Sequence, residues 1–319
     1  MAVYAVTGGA GFIGSHLAER LVKDGHTVRV LDNFSTGSRD NLAAVASAIE
    51  VIEGDIVDAD AASAACRGVD FVLHHAAVGL VGPTLDDPLA AEMVNVTGTL
   101  RILEAARRAG CRGVVCASSA AVYGNPSEEL PRREDALPQP ESPYAVTKLA
   151  VEHYSRVYRQ VWGLPVVCLR YFNVYGPRQR ADSVYAGAPA RFLAAVAEGK
   201  PLMIYGDGRQ ARDFVYVQDI VAANLAAAEQ AATVSESLYN VGSGQATTIL
   251  DLAAAVSTTV RHSVQLVHTA ARAGDVRYSH ADITRARRQL GFTPHIALAD
   301  GLSRMVSRMP KDTSVAARS

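Results

Sequence analysis

Six short runs rich in β-branched residues mark the first half of the chain: Val3–Thr7, Thr27–Leu31, Glu50–Glu53, Phe71–His74, Gly113–Ala117 and Val166–Tyr171. They are continuously apolar instead of alternating, the pattern of strands buried on both faces of a parallel sheet. Helical stretches lie between them. Phe12–Asp24 stops at Gly25 and Leu89–Ala109 at Gly110, glycines placed to end a helix. Ser142–Trp162 opens with Ser-Pro, a cap followed by proline in the first turn, and ends at Gly163. Strand–helix–strand alternation predicts an α/β fold, a doubly wound parallel sheet.

After about residue 175 the rhythm shortens. Prolines, Gly-Asp-Gly at 206–208 and Gly-Ser-Gly at 242–244 separate helical pieces at Ala190–Glu198, Gln218–Gln230, Leu250–Val260, Ile283–Leu290 and Leu298–Met309. This pattern predicts a smaller α/β lobe over the carboxyl ends of the strands, where open sheets bind ligands.

Composition narrows the ligand. The 319 residues are 49% hydrophobic, and 31 basic against 32 acidic residues leave a net charge of −1. Without a basic field or a basic block, nucleic acid is not an expected partner. The four cysteines lack a zinc-type C-x2-C pair, so no metal site is expected. No run of 18 apolar residues suits a membrane span, and the first residues lack the basic region of a signal peptide. A cytoplasmic globular protein that handles a small ligand is the expectation.

Directly after the first strand stands Thr7-Gly-Gly-Ala-Gly-Phe-Ile-Gly14, opening the first helix. Such a turn lets backbone approach a pyrophosphate resting on the positive helix N-terminus. Asp32 ends the second strand, where a carboxylate accepts from a ribose 2′-OH and repels a 2′-phosphate, favouring NAD over NADP. Asp55-Ile56 suits an adenine contact or a plain strand-end turn. The adjacent His74 and His75 point to opposite faces of a strand and cannot share one metal ion, so they read as structural.

Tyr144 and Lys148, four apart on a helix, share a face. A neighbouring ammonium favours the phenolate, and lowering a tyrosine from near 10 to about 7 needs roughly 4 kcal/mol. Such a pair makes a general base, although Y-x3-K also arises by chance. Ser118-Ser119 close the fifth strand, where a hydroxyl can meet the reacting oxygen.

TGGAGFIG, DN at 32–33, GDI at 54–56, HHAA at 74–77, SSAAVYG at 118–124, SPYAVTK at 142–148 and RYFNVYGPRQ at 170–179 resemble the extended short-chain dehydrogenases/reductases, within them the sugar-nucleotide epimerase/dehydratase branch. The likeness continues through 206–219, 239–244 and 272–282. It implies NAD held by Gly8, Gly11, Phe12, Ile13, Gly14, Asp32, Asn33, Asp55, Ile56, Ala76, Ala77, Ser118, Tyr144, Lys148 and Tyr171, and Ser119, Tyr144 and Lys148 as the catalytic set. It further implies a UDP-sugar gripped at the diphosphate by Asn173, Arg212 and Arg272 and at the ribose by Asp275. Tyr185 and Phe192 cover uracil and sugar, and Thr84 and Tyr205 complete the substrate set. Residues 1–175 would form the NAD domain, with a later strand and helix from about 210–235, and 176–319 mainly the sugar-nucleotide lobe. Homodimers paired through the two long helices are also implied.

Ser279 stands where epimerases restricted to plain hexoses tend to carry tyrosine, which implies room for an N-acetyl group and hence UDP-N-acetylglucosamine. The resemblance leaves the reaction open. Ala120-Ala121 replace the Asp-Glu pair of the usual 4,6-dehydratases and favour 4-epimerisation. Leu80, where a polar sugar contact is usual, keeps a dehydratase in view, such as the 5,6-dehydratase of tunicamycin-type pathways. A reductase, a decarboxylase and a non-catalytic NAD-binding regulator are further readings; the last would lose the tyrosine or lysine, and both are present.

Overall fold

The runs of valine, leucine and isoleucine become the interior of a seven-stranded sheet. The computed structural model describes residues 1–125, 129–180, 187–272 and 274–308. The strands are β1 (Val3–Thr7), β2 (Thr27–Asp32), β3 (Ile49–Glu53), β4 (Phe71–His74), β5 (Gly113–Ser119), β6 (Val166–Tyr171) and a last strand, Leu238–Val241. Their order is β3-β2-β1-β4-β5-β6 and then the last strand, with every neighbour parallel. All six expected strands are present. β4 and β6 are buried at every residue, as continuous apolar runs require, whereas β3, at the sheet edge, is largely open to solvent. The order reverses direction between β1 and β4, which opens a crevice at their carboxyl ends.

The expected helix Leu89–Ala109 is interrupted. Pro88–Glu92 and Thr99–Ala109 are α-helical, and Met93–Gly98 between them is a π turn. The Thr99 hydroxyl donates to the Asn95 carbonyl one turn back (2.6 Å), while the Asn95 amide is drawn inward to Val78 and Thr147. Side-chain competition for backbone groups is a usual origin of such a bulge. Pattern reading also passed over helix Ala59–Cys66, short and alanine-rich, which Asp58 caps through the N–H groups of Asp60 and Ala61. The stretch after β4, read as a loop, becomes helical from Val81 to Asp86.

Beyond β6 a second core forms around Tyr175, Phe192, Leu202, Phe214, Tyr216, Leu252 and Leu302. In it Ala211–Arg212 lies between Thr247–Thr248 and Tyr278–Ser279. Helix Val217–Gln230 returns to pack Ile220 and Val221 into the core under the large sheet, with Leu17 and Leu21 of α1 (Phe12–Lys23). The strand that follows it joins the sheet at Leu238–Val241, just after the 210–235 interval expected for it. Among the described residues no helix is long and apolar enough to cross a membrane.

Candidate active site

The glycine turn leads from β1 into α1. Gly8 has φ +66, and a Cβ there would lie 2.7 Å from the Ala76 nitrogen, so β4's extension passes against bare backbone. A Cβ on Gly14 would overlap the Gly8 carbonyl. Gly11 caps α1 without a side-chain bond, and no acidic residue stands in the first turn, so its N–H groups and positive end are free for an anion.

Asp32 is buried and braces this turn: Ala10 N–H donates to Oδ2 and Phe34 N–H to Oδ1, both at 2.8 Å. Each carboxylate oxygen keeps a lone pair for a ribose hydroxyl. Asn33 donates to Asp55 (2.8 Å), joining the ends of β2 and β3. Gly8, Gly11, Asp32, Asn33, Asp55, Ile56, Ala76 and Ala77 line one cavity of about 210 Å³. A turn that tolerates no Cβ, an uncapped helix end and a carboxylate beyond it fit NAD. Phe12 and Ile13 lie behind the turn, against the second core.

Two residues expected at the cofactor are engaged elsewhere. The Ser118 hydroxyl donates to Glu152 (2.5 Å), so that residue has only backbone to offer. The Tyr171 hydroxyl donates to Asn224 (2.9 Å) and meets His75 Nε2 at 3.0 Å. His74 is fixed between Thr7 (2.7 Å) and Thr99 (2.9 Å), and His75 stacks on Tyr171. Burial pushes the two imidazoles down to about 3 and about 4, so both are neutral at neutral pH.

Ser119 ends β5, and its Oγ accepts from Ala121 N–H (3.1 Å). On helix Pro143–Trp162 the buried Lys148 ammonium donates to the Ala117 carbonyl (2.9 Å) and lies 5.8 Å from the centre of the Tyr144 ring. Burial lowers the Lys148 amine to about 8. Tyr144 differs from expectation: burial raises its hydroxyl above the ordinary value, and a Ser119 hydrogen bond only partly offsets that. The ammonium is held by a strand carbonyl at a distance where it does little for the phenol. A bound NAD would supply a positive ring that favours the phenolate.

Asn95 escaped the sequence reading. Wholly buried, it accepts from Val78 N–H (2.7 Å) and donates to the Thr147 hydroxyl (3.0 Å), tying the cofactor loop to the helix of Tyr144 and Lys148. The only trace in the sequence is an asparagine within an otherwise helical run.

A second cavity of about 390 Å³ is lined by Asn173, Phe192, Tyr205, Arg212, Arg272 and Asp275, together with Leu80, Val81 and Arg191. Gly79 and Leu80 line both cavities. Arg212 pairs with Asp275 (2.5 Å), and the Arg272 and Arg191 guanidinium groups lie 3.8 and 5.4 Å from the centre of the Tyr205 ring. Among the described residues three guanidinium groups and one carboxylate line this cavity, and guanidinium groups are donors suited to a dianion. Ser279 lies beside Arg212 in the strand register, outside the lining. Thr84 is fully buried with its hydroxyl committed, and does not reach the cavity. Tyr185 lies outside the described residues.

The profile of the NAD dependent epimerase/dehydratase family matches residues 4–242. The chain belongs to that family. A UDP-glucose 4-epimerase of Mycolicibacterium smegmatis is 41% identical over 94% of this chain and 96% of its own length. The structure of a UDP-glucose 4-epimerase of Thermotoga maritima with UDP-glucose superposes with a TM-score of 0.90 at 34% identity, covering 96% of this chain and 97% of that one. A UDP-N-acetylglucosamine 4-epimerase of Methanobrevibacter ruminantium, in complex with UDP-N-acetylmuramic acid, gives 0.89 at 33%, covering 97% and 99%. This member of the epimerase/dehydratase family is thus an NAD-dependent enzyme, and its two adjoining cavities belong to a fold that works on nucleotide sugars.

Proposed function

We propose that the enzyme interconverts C4 epimers of a UDP-hexose through a 4-keto intermediate, and that UDP-N-acetylglucosamine is among its substrates. Tyr144 takes the proton of the 4-hydroxyl and later returns it, while Ser119 hydrogen-bonds the reacting oxygen. Lys148, held at the Ala117 carbonyl, adds a positive charge to the same buried site. Bound NAD supplies the acceptor that takes hydride from C4 and gives it back. The arginines anchor the diphosphate, so the ketone can turn over while the nucleotide stays in place. Leu80 and Val81 present no hydrogen bond that would fix the ring in one orientation.

The observation that carries epimerisation over elimination is the turn after Ser119. Ala120 and Ala121 stand there, and Ala121 N–H simply donates to the capping Ser119 hydroxyl. With no acid or base at that place to expel the C6 hydroxyl, the ketone's available course is to receive hydride again. Ser279 stands outside the lining but pairs with Arg212, a wall residue, so its small side chain adds no bulk behind that wall, which is compatible with an acetamido group.

Incubation with UDP-N-acetylglucosamine tests both parts. Unchanged mass with a new C4 stereoisomer by NMR supports the proposal, whereas loss of water identifies a dehydratase. Ser279→Tyr should abolish turnover of the acetylated sugar and spare UDP-glucose; equal loss of both would remove the basis for the acetamido reading.

A homodimer is part of the proposal. Leu85, Leu89 and Met93 are exposed, and so are Val146, Tyr154, Val157, Val161 and Trp162 of helix Pro143–Trp162, against which their segment packs. Large apolar side chains left in water on packed elements suit a self-complementary interface. Light scattering on the purified protein decides it, and a monomer at micromolar concentration would refute it.

A further inference from the structure

The N-terminus of the helix that carries Tyr144 is closed by an unusual donor–acceptor pair. A helix leaves its first N–H groups without internal partners. Here Pro143 has no N–H, Ala145 N–H donates to the Ser142 hydroxyl (3.2 Å), and Val146 N–H to the Ser142 carbonyl (3.0 Å). The remaining orphan is the N–H of Tyr144 itself. It donates to Thr84 Oγ1 at 3.1 Å, from a segment 60 residues away. Thr84 is fully buried, and its one proton goes to the Val81 carbonyl (2.7 Å), which turns a hydroxyl lone pair toward Tyr144. On the other side, the Tyr144 carbonyl accepts from the Thr147 hydroxyl (2.8 Å).

Val81 and its neighbour Leu80 line the sugar-nucleotide cavity. One hydroxyl therefore joins the cavity wall to the peptide of the tyrosine. We propose that Thr84 is a positioning residue that couples the apolar wall to Tyr144, so that sugar pressing on Leu80–Val81 sets the approach of the phenol to the reacting hydroxyl. This rests on Tyr144 acting as the base. Thr84 touches neither cofactor nor substrate in this scheme. Its effect falls on kcat instead of KM, because the diphosphate anchors are untouched and only the alignment of proton transfer changes.

The test compares Thr84→Val, which keeps shape and removes the acceptor, with Thr84→Ser, which retains it, all as NAD-bound enzyme. Thr84→Val should lower kcat by about 10- to 100-fold with KM within about twofold, and Thr84→Ser should return kcat to within about threefold of the parent. The pH at which Tyr144 ionises, read as the ultraviolet difference between each protein and its Tyr144→Phe counterpart, should shift in Thr84→Val and stay in Thr84→Ser. That optical reading needs no turnover. If no UDP-hexose reacts with the parent, the functional proposal falls, while the coupling stands or falls on the tyrosine shift. Unchanged kcat and ionisation in Thr84→Val, or a change confined to KM, would overturn the coupling. Should Thr84→Val not fold, Thr84→Cys, a weaker acceptor, must turn over more slowly than Thr84→Ser; equal rates would overturn it too.

Discussion

Glu152 and Arg170 form a bidentate ion pair in the interior, Nε to Oε1 at 2.8 Å and Nη2 to Oε2 at 2.6 Å, with the Ser118 hydroxyl on the same carboxylate. The pair ties helix Pro143–Trp162 to β5 and β6, the elements that bear Tyr144, Ser119 and Tyr171. Removing one partner strands a buried charge. Glu152→Met should lower unfolding free energy by about 3–5 kcal/mol, and the double variant Glu152→Met/Arg170→Met by less than that single change. Urea denaturation measures both, and a double variant at the sum of the singles would contradict the account.

Tyr144→Phe should reduce turnover by at least about 10²-fold with NAD still bound, because the lost hydroxyl moves the proton and is only one of the many contacts expected to hold the cofactor. Turnover near the parent's would exclude Tyr144 as the base.

Lys148 carries an opposite balance of stability and activity. Its amine sits at about 8 in the folded protein, below the ordinary lysine value of 10.5. Between those values the unfolded chain binds more protons, so folding is favoured increasingly as pH rises from about 8 to 10.5. Below 8 the buried ammonium is a full cost. Lys148→Met should therefore be inactive, yet more stable near pH 7 by on the order of 1–2 kcal/mol, after loss of its bond to Ala117. The stability gap between variant and parent should narrow above pH 8. A less stable variant would contradict the burial argument.

His74 and His75 set the acid limit. With folded values of about 3 and about 4 against an ordinary 6.5, both take up protons more readily when unfolded. Their contribution is complete above about 6.5 and is lost as pH falls toward 3 to 4. Thermal unfolding should show Tm falling steeply below pH 6.5, and the slope should flatten in His75→Gln.

All four cysteines, Cys66, Cys111, Cys116 and Cys168, are reduced and buried. A bulky aromatic disulfide reagent should label none of them in the native enzyme and all four in denaturant. Rapid labelling of the native protein would show that the sheet opens.

Much of this enzyme could be read along the chain. The glycine turn, the strand-end carboxylate of Asp32 and the Tyr144–Lys148 spacing each act through neighbours in sequence or through one turn of helix, so local geometry already constrains them. The strands were equally legible, because burial on both faces, as in β4 and β6, leaves mostly apolar residues. The limits appear where a side chain's partner lies far away. Ser118 and Ser119 are adjacent and alike, yet the pleat sends one to Glu152 and the other to the Ala121 turn and Tyr144. Thr84 looked like a sugar contact until the fold placed it under the Tyr144 N–H.

Tertiary structure alone brought Arg212 to Asp275 across 63 residues and interrupted the long helix with a π turn around Asn95. It also set the Tyr144 hydroxyl above its ordinary value, reversing the simple effect of a nearby lysine. The sequence determined which chemical groups exist and at what local spacing. Their direction, burial and partners were decided by packing, because a hydroxyl or an ammonium takes its character from what surrounds it after water has been excluded.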